Sequence, residues 1–172
     1  LVSKDELKGI LGGCFSPHYF PIELVENLTH IQYLEFEDAA KIIKSNCEIT
    51  SINLRHPGGA SGYIFETNKG KFSYLLDHEY DDESALEIIN ASKKSDLIIW
   101  DGMFTPEELS MRKGWGHSSI AQGNDFLIKS DSKKMGISHH SPYRNDKDMT
   151  NLEKSFTNQN LFLAKEGQTI KF

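Results

Sequence analysis

Four side chains stand out because each follows a β-rich or glycine-rich run and each is a type that binds metal or moves protons. His56 closes the segment Glu48-Ile-Thr-Ser-Ile-Asn-Leu-Arg, and Asp77 closes the hydrophobic run Phe72 to Leu76. His139, doubled by His140, ends Met135 to Ser138, and His117 sits in Gly114-Trp-Gly-His-Ser-Ser119, where a glycine-rich turn meets a helix. Strand ends are rigid mounts for a site, and neutral imidazoles with carboxylates are the ligands of zinc, iron and manganese hydrolases. No compact motif such as His-Glu-x-x-His fixes the set, and a His or Asp at a strand end is also an ordinary loop or cap residue. Spacing alone therefore leaves both readings open.

Other candidates weigh less. His18 reads as a surface histidine beside Pro17, and His30 has no second histidine at ligand spacing. His78 should point away from Asp77 if the strand stays extended, and Glu79 reads as a supporting or strand-end group. Cys14 and Cys47 lack paired thiolate spacing and read as reduced, structural residues.

The elements needed to carry these residues follow in order. Ser3 with Glu6 has the capping-box pattern of a short opening helix that Gly12-Gly13 should stop. Cys14 to Pro21 reads as an irregular segment held by Phe15, Tyr19 and Phe20. Ile31 to Phe36 alternates like a strand, and Asp38 to Lys44 reads as a connection. Glu48 to Leu54, Tyr63 to Thr67 and Phe72 to Leu76 are strands, the last two joined as a hairpin through Asn68-Lys-Gly70. A helix from Asp81 to Ile89, a buried strand from Asp96 to Asp101, and a helix from Thr105 to about Lys113 follow. Ser118 or Ser119 opens the next helix toward Lys129, which Gly123 weakens. Met135 to Ser138 is a short strand and Asp148 to Ser155 a helix, while Leu161 to Leu163 and Thr169 to Phe172 should close the core.

A chain of 172 residues makes one domain, spanning 1–172, the default. Its net charge of −6 argues against a surface that tracks nucleic-acid backbones, since that needs clustered cations. No apolar run approaches the roughly 20 residues of a membrane span, and no signal-peptide pattern is present, so a cytoplasmic location is expected.

The ordered blocks His56-Pro-Gly-Gly-Ala-Ser-Gly-Tyr-Ile-Phe-Glu, Leu76-Asp77-His78-Glu79, Asp96-Leu-Ile-Ile-Trp-Asp101, Gly114-Trp-Gly-His-Ser-Ser119 and Ser138-His-His-Ser-Pro142 resemble the later half of the metallo-β-lactamase superfamily. The match is to its phosphodiesterase branch, which includes the tRNA 3′-processing ribonuclease RNase Z and small cyclic-phosphodiester hydrolases. Phe20-Pro21 and Glu166 to Ile170 also look like segments of that family. The resemblance implies an α/β (α+β) fold, the C-terminal portion of an αββα sandwich whose two mixed sheets meet at a dinuclear metal site. It implies His56 as a terminal ligand of one ion, Asp77 as the bridging carboxylate, and His139 (or His140, one register away) as a terminal ligand of the second ion. His117 would protonate the leaving oxygen, and Ser118 would cap the helix after it. Two divalent ions, zinc first and iron or manganese as alternatives, would act on a small phosphodiester or nucleotide substrate.

The family's His-x-His-x-Asp-His loop is not in this sequence. Either the chain is the distal part of a longer protein whose N-terminal half completes the site, or it is a degenerate, inactive member acting as a binding or scaffold domain. Leu1 in place of Met and the survival of the distal ligand types favour the first. Other members of the fold cleave thioesters, lactones or β-lactams, but the Gly-Trp-Gly-His-Ser block favours phosphodiesters. Oligomeric state stays open, a homodimer among the options.

Overall fold

The computed structural model describes residues 2–20, 31–43, 47–81, 83 and 85–171. These fall into two units, 1–45 and 46–172. In the first, helix α1 (Lys4–Cys14) starts at the Ser3–Glu6 capping box and runs through Gly12 and Gly13 instead of stopping there. Phe15 and Phe20 then pack edge to face, with centroids 5.3 Å apart. Helix α2 (Phe36–Ile43) takes the place of the expected connection, and residues 31–35 form no strand. Glu37 and Asp38 in its first turn and Lys41 in its last suit the helix dipole, which outweighs the short alternation before it. Pro21, His30 and Lys44 lie outside the described residues.

The second unit is built on one six-stranded mixed sheet in the order β1 (Glu48–Leu54), β2 (Ala60–Thr67), β3 (Gly70–Leu75), β4 (Leu97–Asp101), β5 (Met135–Ser138), β6 (Leu161–Leu163). The β1–β2 and β2–β3 pairs are antiparallel and the other three parallel, so every strand except β2 points the same way. The registers Leu75↔Trp100 and Trp100↔Ile137 put one apolar row on one face. Leu75, Ile98, Trp100, Met135 and Ile137 are fully buried there against Ile88 of α3 (Ala85–Ser92) and Phe126 and Leu127 of α5 (Ile120–Lys129). Met149 and Leu152 of α6 (Asp146–Lys154) join the same cluster. The opposite face carries half-buried Phe65, Phe72 and Phe162 and the more exposed Tyr74, with Phe65 stacked on Phe72 at 5.5 Å. A sheet covered by helices on one side and aromatic on the other matches half of an αββα sandwich.

Local differences from the sequence reading have physical causes. Helix α4 (Pro106–Ser110) ends at Met111, short of Lys113, where Arg112 donates to the Glu108 carbonyl. Ser119, not Ser118, caps α5, sharing a capping box with Gln122. Ser118 is fully buried and bridges backbone instead, donating to the His78 carbonyl at 2.6 Å and accepting from the Tyr80 N–H at 3.0 Å. Gly123 does not weaken α5 so much as allow it to close on the sheet, because a Cβ there would lie 2.7 Å from Trp100 Cδ1. Residues 169–171 form no strand and lie mostly exposed, so they do not close the core. Among the described residues, no helix is long and apolar enough to cross a membrane.

Candidate metal centre

The sheet's common direction explains how distant residues meet. β1, β3, β4 and β5 all end at the same edge, and their C-terminal ends carry His56, Asp77, Asp101 and His139. Loops beyond the carboxyl ends of parallel strands are the usual place for a ligand site. Asp77 and His139 both leave their strands in the left-handed region, at φ 60° and 55°. Such backbone is uncommon outside glycine and turns the side chains out of the extended pleat. It also frees His78 from strand alternation: the His78 ring lies fully buried, edge-on to Trp100 at 4.7 Å. Desolvation there pushes the imidazole down to about 4. His117 arrives separately, from the turn between α4 and α5.

Asp77 Oδ1 is the shared neighbour of three imidazoles. It lies 3.6 Å from His56 Nε2, 3.6 Å from His117 Nδ1 and 3.8 Å from His139 Nδ1. None of these is a hydrogen bond, and among the described residues the Asp77 carboxylate makes none. Ligand atoms around a tetrahedral zinc ion stand about 3.4 Å apart, given bonds of about 2.0–2.2 Å. The separations around Asp77 are close to that spacing. A cavity of ≈ 490 Å³ borders Asp77 and His139 and is lined further by Gly59, Ser61, Tyr74 and Leu76. Of the doubled histidine, only His139 reaches this cluster. The His140 Nε2 faces the Ala164 carbonyl at 3.4 Å, and burial lowers its pKa.

Asp101, which sequence reasoning treated only as the end of a buried strand, lies beneath the histidines. It is fully buried, with Oδ2 2.9 Å from His117 Nδ1 and 3.3 Å from His139 Nδ1. Its oxygens also accept from the backbone N–H groups of His78 and Met103, each at 3.2 Å. Burial raises its pKa, but the bonds from His139 and His117 outweigh burial and the net shift is downward. The same pairing with Asp101 raises His139. Asp77, Asp101, His117 and His139 together form a group able to hold a metal ion, their donor atoms all within 4.8 Å of one another. Because Asp101 is already engaged by backbone donors, it fits the role of a carboxylate that fixes the tautomer and tilt of neighbouring imidazoles. Assigning the proton to His117 Nδ1 from this pairing leaves Nε2 free.

His56 is held differently. Its Nδ1 accepts the Gly58 N–H at 3.1 Å, so the neutral ring carries its proton on Nε2, toward Asp77. A cation at Nε2 requires that proton to leave and the Gly58 contact to loosen.

No protein-family model matches the sequence, and no curated protein matches it significantly. Solved structures match its fold. Human tRNase Z, short form, superimposes with a TM-score of 0.59 at 17% identity, over 74% of this chain and 44% of that one. The metallo-β-lactamase fold protein YhfI from Bacillus subtilis gives 0.57 at 17% identity, over 72% and 49%. A diphosphatase from the PhnP family gives 0.52 at 15% identity, over 72% and 42%. The fold of this chain is therefore metallo-β-lactamase-like. The chain spans about half, or slightly less, of the length of these structures.

Proposed function

We propose that this chain is the C-terminal part of a divalent-metal hydrolase that cleaves phosphodiester bonds, in the manner of the RNase Z and cyclic-phosphodiesterase branch of the fold. The observation that carries the reading is Asp77 Oδ1 standing 3.6–3.8 Å from three imidazoles at one sheet edge. Asp77 and His139 would hold cations on this chain, with His56 joining once its Nε2 gives up its proton. The similarity to tRNase Z and to a PhnP-family diphosphatase supports phosphorus–oxygen chemistry over thioester or lactam chemistry. Two ions, zinc first given the mixed imidazole and carboxylate donors, would clamp a phosphodiester and lower the pKa of water between them. The remaining ligands would come from residues preceding this sequence, in keeping with the half-length overlap with the solved structures.

His117 would act as the general acid. Asp101 accepts its Nδ1–H, so Nε2 is the atom that would serve a leaving oxygen. The cavity beside Asp77 falls within the about 300–1,000 Å³ typical of small-molecule sites, which suits a small phosphodiester or nucleotide.

A metal-free scaffold domain is the second reading, favoured by the Gly58 N–H that occupies His56 Nδ1. Metal analysis and turnover of bis(p-nitrophenyl) phosphate by the protein extended with its upstream coding sequence separate the two. Bound metal, with turnover abolished by Asp77→Ala, supports the hydrolase; turnover undiminished in Asp77→Ala removes it.

A further inference from the structure

Glu79 lies just outside the donor cluster, yet it touches all three segments that carry His56, Asp77 and His117. It follows Asp77 by two residues. Its backbone N–H donates to the carbonyl of Arg55, the residue before His56, at 2.8 Å. Its Oε2 accepts the N–H groups of Gly114 and Gly116 at 2.7 and 3.1 Å, closing the turn that delivers His117. Amide groups converging in a turn make a concave anion site, and here the chain's own carboxylate fills it. Bonds from N–H to an ionised carboxylate are the stronger kind.

The turn matters because the ring of His56 rests on it. Gly116 is buried at φ +89°, and a Cβ there would sit 2.3 Å from His56 Cδ2 and 2.9 Å from His56 Nε2. The imidazole thus lies against bare backbone, and where that backbone stands decides where Nε2 stands. Ser118, beside the turn, bonds to backbone at His78 and Tyr80, so the opposite end of the turn is already pinned. The Gly114–Gly116 end has Glu79 in the corresponding place.

We propose that Glu79 is a positioning residue: by holding the Gly114–Gly116 turn against the His56 ring, its carboxylate sets the distance between His56 and Asp77. The proposal rests on the metal-centre reading above for its functional consequence, but not for its geometry.

The test uses the 172-residue chain with Glu79→Ala, the milder Glu79→Asp, whose shorter arm withdraws from both amides, and Glu79→Gln, which keeps an acceptor oxygen. Asn145→Ala, which removes the cap of α6 away from the site, controls for general destabilisation. Hydrogen exchange at the Gly114 and Gly116 amides and the ring resonances of His56 are read by NMR without metal; zinc affinity is read by calorimetry. Glu79→Ala and Glu79→Asp are expected to speed exchange at both glycines about tenfold, the equivalent of one lost charge-assisted bond, and to move the His56 resonances. Zinc affinity should fall about 10- to 100-fold, as when a group orienting a ligand is lost. Glu79→Gln should largely restore all three, and Asn145→Ala should alter none. Unchanged exchange at Gly114 and Gly116, or a freed turn with His56 resonances unmoved, overturns the proposal. Wild-type chain that binds no zinc counts against the metal-centre reading alone, and the exchange and resonance measurements still decide the role of Glu79. If Glu79→Ala fails to fold, Glu79→Asp and Glu79→Gln decide it by the same readings.

Discussion

Asp101 and His78 share a small buried volume and behave oppositely, which makes them informative as a pair. Asp101 keeps its charge under full burial because two imidazoles and two backbone N–H groups face it. Asp101→Asn removes that charge at nearly constant volume. On the proposed function, it should lower phosphodiester turnover by the upstream-extended protein about 10²-fold or more, with substrate binding less affected, as kcat and KM determined separately would show. At His78 desolvation outweighs the opposing charge of Asp101, and the ring is held neutral against Trp100, at about 4. The unfolded chain takes up the His78 proton near 6.5, so between about 6.5 and 4 it binds more protons than the folded chain. Stability therefore rises with pH across that window and is lost on acidification, levelling off below about 4. A shift of this size corresponds to about 3 kcal/mol. Urea midpoints from pH 7 to 4 should fall steeply for the wild type, and less so for His78→Phe, which keeps the ring packing without the titration.

At the scale of elements, the site is a consequence of strand direction. Once β1, β3, β4 and β5 run the same way, whatever follows their last residues must gather at one edge. His56, Asp77 and His139 could be singled out because each follows a recognisable β-rich run. Asp101 obeys the same rule, but as the last residue of β4 itself it is not set apart in the sequence from the apolar run before it. Other features do not register as periodicity. The left-handed backbone at Asp77 breaks strand alternation after Leu75 and sends His78 into the core. Ile31 to Phe36 alternates over too few residues to outweigh the helix that begins at Phe36. Gly123 looks like a weak point by helix propensity, yet its missing side chain is what admits Trp100. Gly123→Ala sets these against each other. Better propensity offers up to about 1 kcal/mol, whereas overpacking a fully buried indole costs about 1–3 kcal/mol. A net loss is expected, seen as a lower urea midpoint and altered Trp100 fluorescence.

The second unit as a whole looks like one side of a sandwich: helices on one face of the sheet, and a half-buried aromatic face on the other. That arrangement agrees with its overlap with about half of each solved structure it resembles. The functional proposal nevertheless rests on the donors this chain carries itself. Zinc anomalous scattering from crystals of the chain grown with the metal tests them most directly. The expected result is a peak at bonding distance, about 2.0–2.2 Å, from Asp77 and at least one of the His56 and His139 rings, with the Gly58 N–H no longer bonded to His56 Nδ1 where that ring takes part. An intact fold with no density between Asp77 and these imidazoles, or with zinc bound only elsewhere, would contradict it.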